Sequence, residues 1–415
     1  MSGKYKISFL TVLLVIAAAS LNFVSVAAES RAYIELYYGS QKFTYTDSYI
    51  EPTNHLVAEE IFTRKINAPL SEKLDFIQRK LRGGADYKSA LLTCFPLLSD
   101  TVDRAIASLN KDPTDSEVRF DPTAKPMFSI TREKVGLKVL EDRLYMDIYF
   151  ALLGSSSVKV KIPVEKPKAS ITARDNVALT NLRAKYSTDF SASTDERKHN
   201  IKLALSKING AVIESGAQLS FNDTVGRRTA NNGFLEAKII KGGKYVPGVG
   251  GGVCQVSTTL YNAALLSDLS IVSVNRHSLQ SSYELPSFDA MVNSGSSDLV
   301  IANSGERPVF VRAYSYEGKA CVEIYGSVLP YKIKRKSEVT FTGETPTYDE
   351  EVDVGYEHFE VGTEPGTRKT ISYSHPEVHS KGYLLYYDYY GRLLETKLIR
   401  TDKYNSVKGV IAIAP

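Results

Sequence analysis

A chain of 415 residues exceeds what one ordinary hydrophobic core supports, so it should divide into several compact units. Its formal charge of +4 is small for that length, and no basic run carries interleaved aromatics, which argues against a nucleic-acid groove. Tryptophan is absent and tyrosine abundant, which suits β-rich modules, while three cysteines without a CxxC pair exclude a disulfide scaffold and give zinc no support.

The first segment sets the compartment. Lys4 and Lys6 precede an apolar run over residues 7–26, and Ser25-Val26-Ala27 or Val26-Ala27-Ala28 offers the small residues of a signal-peptidase site. The protein is therefore expected outside the cytoplasm, at the cell wall or the outer face of the cytoplasmic membrane. The run is nearly long enough to span a bilayer, although Thr11, Ser20 and Asn22 interrupt it. Residues 1–28 read as a cleaved signal peptide or a retained anchor, and only the anchor would touch a membrane.

Residues 29–172 read as an α+β domain. Residues 31–46 alternate as a hairpin around Gly39-Ser40. Leu70, Leu74, Ile77 and Leu81 make one helical stripe stopped by Gly83, and Val102, Ile106 and Leu109 make another. Cys94, in Leu91-Leu92-Thr93-Cys94-Phe95, reads as buried. Short strands are expected over 116–120 and 127–131, a helix over 137–153 and a strand over 158–164, before a polar, proline-containing bridge over 163–173.

The next stretch, 173–328, carries the chemistry. Ser193-Thr194-Asp195-Glu196 reads as a capping box ahead of a helix bearing Ile201, Leu205 and Ile208 and stopped by Gly210; His199 on it is read as solvated or capping. Further on, Gly248, Gly250, Gly251 and Gly252 give way at Cys254 to a helical pattern through Thr259, Leu260, Ala263, Ala264 and Leu266. Cys254 would thus lie at a helix N-terminus. Unpaired N–H groups and partial positive charge there favour thiolate, and such sites lower a cysteine pKa from about 8.5 to roughly 3.5–7.5. Gly251, Gly252 and Gln255 are the candidate loop and oxyanion positions, because the same N–H groups could hold a developing negative charge.

A thiolate in acyl transfer needs a base. His277 is the candidate, at the end of a strand read over 269–274 that returns after the cysteine helix. Asp289, Asn293 and Asp298 are alternatives for the group that orients it, with Asp289 put forward. Arg227, Arg228 and Arg276 are candidates to bind substrate carboxylates, since guanidinium meets them with two parallel hydrogen bonds. Strands are expected over 299–302, 309–316 and 320–328, with Cys321 on the last. Residues 329–415 read as a small β module whose clearest hairpin spans 383–399 around Gly391. His375 and His379 have metal-site spacing, yet Pro376 and the missing adjacent glutamate favour a loop.

Taken together, Tyr186-Ser187-Thr188, Phe221-Asn222-Asp223-Thr224-Val225-Gly226, Val246-Pro247-Gly248-Val249-Gly250-Gly251-Gly252-Val253-Cys254-Gln255-Val256-Ser257, Arg276-His277-Ser278 and Val322-Glu323-Ile324-Tyr325-Gly326 resemble the VanW family. The resemblance implies a mixed α/β catalytic domain in a multidomain α+β protein. It also implies L,D-transpeptidation of peptidoglycan, with Cys254 as nucleophile and His277 as base. Residues 128–164 loosely resemble the peptidoglycan-binding type of domain that precedes VanW domains, and the C-terminal module resembles the one named for five glycines. Glu284-Leu285-Pro286-Ser287-Phe288-Asp289-Ala290 departs from the proline, glycine, arginine and aspartate run of relatives.

The expected reaction uses no metal or organic cofactor, and its partner is peptidoglycan. Water could instead resolve the thioester, giving a carboxypeptidase or endopeptidase. The chain could also be a non-catalytic wall-binding or glycopeptide-resistance accessory protein, or Cys254 a redox sensor without a resolving cysteine nearby.

Overall fold

A computed structural model of the chain describes residues 31–241 and 244–415. The expected signal or anchor segment lies outside them. Among the described residues no helix is long and apolar enough to cross a membrane. Helices and several separate sheets make this an α+β multidomain protein. It falls into two compact units, one from the stretch up to Ser116 with Arg132–Thr172, the other from Glu117–Thr131 with Ala173–Pro415.

In the first unit the strand Tyr33–Tyr38 is central, antiparallel to Gln41–Thr46 and parallel to Ser157–Lys161. The hairpin turns at Gly39 with φ +58°, a conformation glycine adopts freely. Alternation puts Ile34, Leu36, Val158 and Val160 on the core side, where they join Ile77, Leu91, Leu98, Val102, Leu144 and Ile148. The helices Leu70–Arg82 and Leu98–Leu109 match their apolar stripes. Two further helices, His55–Thr63 and Tyr87–Cys94, have little stripe to read, and their signal is the N-cap: Asn54 accepts from the Val57 N–H and Asp86 from the Ser89 N–H. The helix expected from 137 begins later, at Glu141. Lys138 and Val139 pair instead with Glu165 and Val164, and the Val139 N–H is held by Asn110.

The second unit is built on an antiparallel sheet ordered Leu182–Asp189, Lys319–Tyr325, Val309–Tyr316, Val212–Ile213. Helices Asp195–Ile208 and Val253–Leu266 pack on one face, meeting Val309, Val311, Val322 and Ile324. Alternate residues Phe310 and Tyr325 point the other way, onto Phe120 and Phe128. Those two rings come from the hairpin Val118–Phe120 and Phe128–Ile130, read above as part of the N-terminal domain; its aromatics bury in the second unit instead. The N-cap of Asp195–Ile208 is Thr194, one residue later than the capping-box reading, and the Glu196 carboxylate accepts from its own backbone N–H and the Thr194 hydroxyl.

The C-terminal strands form two sheets, Lys332–Thr342, Val378–Tyr387 and Leu393–Tyr404 in one, Asp349–Val352, Val410–Ile413 and Arg368–Ser372 in the other. The first shares the core of the second unit through Leu384 and Tyr386, with Ile333 and Ile399 packed against it. This contact places β-strand side chains beside the cysteine helix.

Candidate functional site

Glycine is required where the loop enters the cysteine helix. Gly250 and Gly252 have φ of +88° and +104°, and a Cβ on Gly251 would lie 2.7 Å from the Lys238 carbonyl oxygen. Asn200 clamps this loop, donating to the carbonyls of Leu235 (2.9 Å) and Gly251 (3.0 Å) while accepting the Leu235 N–H (2.8 Å). Gly252 is the N-cap of Val253–Leu266, which makes Cys254 the second helical residue. Its N–H has no acceptor among the described residues, so one donor remains beside its own sulfur.

Gln255 does not join that donor. Its N–H is spent on the Gly252 carbonyl (3.0 Å), its Oε1 accepts from Arg197 (2.8 Å), and its Nε2 donates to Asp189 O (2.7 Å) and Thr188 Oγ1 (3.1 Å). The expected oxyanion position is thus a buried brace between helix and sheet. Gly251 and Gly252 shape the loop.

Cys254 is partly exposed, and its Sγ lies 3.3 Å from the Val292 carbonyl oxygen and in hydrogen-bond contact with His277. The imidazole is fixed from its other side: Nδ1 meets Asp289 Oδ2 at 2.7 Å, and the His277 backbone N–H donates to the same oxygen at 2.6 Å. That leaves Nε2 for the sulfur. Burial would raise the thiol pKa, but the hydrogen bond and charge of His277, helped by Arg228, hold it below the ordinary value. Burial would likewise depress His277, yet Asp289 and the sulfur push it up to about 9. Asp289 itself, against the cost of burial, is brought down to about 2 by His277, Arg400 and Tyr404. The three groups can therefore hold a thiolate, an imidazolium and a carboxylate in line.

The outer end of that line belongs to the C-terminal sheet. Arg400 donates to Asp289 Oδ1 at 3.0 Å and to its carbonyl at 2.6 Å, and Tyr404 OH donates to Oδ1 at 2.6 Å. Arg400 also pairs with Asp402, 2.7 Å away. These residues were not singled out in sequence. The available signal was Arg400, Asp402 and Tyr404 at a spacing of two, which puts three polar groups on one face of a strand that also carries Leu398 and Ile399. Arg335, from the strand beyond Tyr331, similarly reaches Glu284 (3.1 Å), Tyr186 OH (2.6 Å) and Asn262 of the cysteine helix. Tyr283 stands edge-on to the His277 ring at 6.4 Å.

Among the alternatives for the orienting group, Asp289 is the one at the histidine. Asn293 caps its own turn by accepting from the Ser296 and Ser297 N–H groups, and Asp298 accepts from Ser220 Oγ (2.5 Å) and the Asn222 N–H (2.9 Å). Arg276 turns back onto the His277 carbonyl (2.9 Å), and Arg227 is exposed. Arg228 is partly buried and lines a cleft with Arg227, Asn222 and Ser294. His199 bonds the Gly233 carbonyl at 2.8 Å, and His379 meets Glu377; among the described residues no His, Cys, Asp and Glu cluster could hold a metal. Cys94, Cys254 and Cys321 are all free thiols. The departure at Ser287 has a visible consequence: it holds φ +67°, which glycine would adopt without strain.

A family model described as VanW like protein matches residues 196–325, a span that contains the thiol, the imidazole and the carboxylate. The chain belongs to the VanW family. It is 34% identical over 201 residues to Uncharacterized protein YoaR of Bacillus subtilis, a match covering 48% of this chain and 66% of that one. It is 29% identical over 124 residues to the Vancomycin B-type resistance protein VanW of Enterococcus faecalis, covering 28% and 45% respectively. One solved structure, HP0197-G5, aligns over 20% of this chain and 95% of its own, with 7% identity and a TM-score of 0.11.

Proposed function

We propose that this VanW protein is an exported cell-wall enzyme, a cysteine L,D-transpeptidase that forms 3-3 crosslinks between peptidoglycan stem peptides. One observation carries the reading: a partly exposed thiol at a helix N-terminus touches an imidazole whose second nitrogen is held by a buried carboxylate. The relative named for vancomycin resistance supports a role at the wall.

In the thiol form Cys254 donates towards the Val292 carbonyl, and ionisation moves its proton to His277. The sulfur then attacks the carbonyl carbon of the third stem residue. The Cys254 N–H is the donor at hand for the resulting oxyanion. As the tetrahedral centre collapses, the C–N bond to the terminal D-alanine breaks and His277 gives its proton to the departing amine, leaving a thioester. An amine of a second stem attacks that thioester, His277 takes its proton, and the C–S bond breaks to restore the thiolate. The scheme calls on no metal or organic cofactor.

Incubation with purified muropeptides, followed by mass spectrometry, tests this. Wild type should yield dimers that have lost one alanine, and Cys254→Ala should not. Shortened monomers alone would redirect the assignment to a carboxypeptidase, and crosslinking by Cys254→Ala would overturn the thioester.

A further inference from the structure

We propose that the polar cleft bordered by Arg228 is a subsite for a free peptide carboxylate, recognised by the Arg228 guanidinium, and that it restricts the enzyme to bonds one residue from a peptide's C-terminus. The substrate rests on the thioester reading above; the residue is chosen on separate grounds. The cleft, about 770 Å³ and open to solvent, is lined mainly by hydroxyl, amide and charged groups, among them Ser220, Asn222, Asp223, Arg227, Arg228 and Asp298. Such walls suit a charged, hydrated end group rather than an apolar one.

Arg228 differs from the partly buried arginines that are tied to carboxylates, and unlike Arg183, which is also without an ion pair among the described residues, it lines the cleft. Arg335, Arg400 and Arg312 each reach a carboxylate, at 3.1, 3.0 and 3.0 Å. Arg228 has no carboxylate within ion-pair distance among the described residues. It donates instead to two neutral oxygens, Asn222 Oδ1 at 2.6 Å and Ser294 Oγ at 3.4 Å, with the Phe221 ring 5.8 Å away. Burial lowers its pKa, opposed by the charges of Cys254 and Asp298, neither of which is within ion-pair distance, so its counter-charges act through space and leave N–H donors open. A guanidinium has five N–H donors, and these two bonds leave the others for a ligand. Asp298 does not close the cleft to anions, since its oxygens are already bound by Ser220 and the Asn222 N–H.

The position matches the chemistry. A Cβ on Gly250 would lie 2.8 Å from Arg228 Cβ, so the glycine loop leading to Cys254 packs directly on the arginine stem. Ser294, its other brace, is two residues beyond Val292, whose carbonyl faces the sulfur. Arg228 is thus held by both segments that frame the thiol. A carboxylate one residue past the scissile carbonyl is displaced from it by about one α-carbon step, roughly 3.8 Å.

The test uses the full chain with Cys254→Ala, which binds without turnover, and two synthetic tetrapeptides ending in D-alanine, one with a free carboxylate and one carboxamide. Calorimetry should show the acid binding at least about tenfold tighter than the amide, as a charge-assisted bidentate contact requires. Adding Arg228→Gln should bring the acid's affinity down to that of the amide, and Arg227→Gln should keep the preference. Equal affinities, no measurable binding of either peptide, or a preference that survives Arg228→Gln would overturn the proposal. The acid–amide comparison needs no change at Arg228, so a variant that fails to fold does not blunt it. Failure of the thioester reading would appear separately, as absence of acyl-enzyme in wild type despite a preserved preference for the acid.

Discussion

In the first unit Cys94 lies against the buried pair Lys73–Asp47, 2.6 Å apart; in the second, Cys254 lies against His277–Asp289, 2.7 Å apart. Each thiol therefore has a cation and a carboxylate nearby. Cys94 is fully buried, its Sγ directed at the Lys73 carbonyl at 3.8 Å, while the Lys73 ammonium turns to Asp47 and to the Phe95 ring, 4.7 Å from its centroid. Burial pushes that thiol up to about 12 even though Lys73 works in the opposite direction. Cys254 has its cation as a direct hydrogen-bond partner and is a partly buried rather than a fully buried residue. A charge in the neighbourhood does not activate sulfur; contact with a cation that can surrender a proton, together with an open approach, does.

The sharpest break between the two is alkylation. At pH 7 a thiol with a pKa of about 12 is ionised to only about one part in 10⁵, so iodoacetamide should modify Cys254 and spare Cys94 until the first unit unfolds. Peptide mapping after a timed pulse reads this directly. Preferential labelling of Cys94 in the native protein would erase the distinction.

Asp289→Asn comes next, with an expected loss of about 10²–10⁴-fold in acyl-enzyme formation, measured in single-turnover mixing. Without the carboxylate the imidazolium loses its partner, so the pH at which Cys254 alkylation levels off should rise. Stability carries a matching signature. The folded value for Asp289 is depressed from 3.8 to about 2, so its contribution is present above 3.8 and lost as the pH falls through about 2. His277 is raised from 6.5 to about 9, so its contribution is full below 6.5 and lost as the pH rises through about 9. Urea midpoints across pH should show both limbs in wild type, with the acid limb reduced in Asp289→Asn; unchanged limbs would remove Asp289 from the line of charge.

The pair in the first unit should act on stability and leave the thiol chemistry of the second alone. Asp47→Ala strands the Lys73 ammonium, whose side chain is 1% exposed, and should cost about 3–5 kcal/mol in denaturant unfolding. The Cys254 alkylation rate should not change.

What was legible in sequence follows from distance along the chain. The glycine-to-helix junction at Cys254 is a local pattern and appears where periodicity puts it. Helix Leu70–Arg82 likewise ends where Gly83 stops its stripe. His277 lies four residues past the strand Ser270–Ser273, beyond the Asn275–Met291 bridge, rather than at the strand end. Arg400 and Tyr404 escaped because they meet Asp289 from 111 and 115 residues away, on strands whose alternation is satisfied by a small free-standing sheet. The two strands carrying Phe120 and Phe128 were legible, but their packing partner was not, for the same reason: the rings bury against Phe310 and Tyr325. Local spacing carries elements and candidate nucleophiles; it does not carry which distant strand holds the carboxylate.

Ser287 offers the finest test of how the C-terminal sheet grips the site. It is buried at φ +67°, its N–H donates to Tyr404 OH at 2.8 Å, and its hydroxyl bonds Ser380 Oγ at 2.7 Å. Ser287→Gly relieves a left-handed conformation worth about 1–2 kcal/mol, but it loses a hydrogen bond of about 0.5–1.5 kcal/mol and adds chain entropy to the unfolded state. The terms nearly cancel, and its stability should stay within about 1 kcal/mol of wild type. Ser287→Ala keeps the strain and still loses the bond, leaving Ser380 buried without its partner, so it should be the less stable of the two. The reverse order in thermal unfolding would mean that the Ser287–Ser380 bond, rather than backbone geometry, governs this junction. A result in the expected order makes left-handed strain the cost of a serine at this position while the Tyr404 hydroxyl continues to hold both the Ser287 N–H and Asp289.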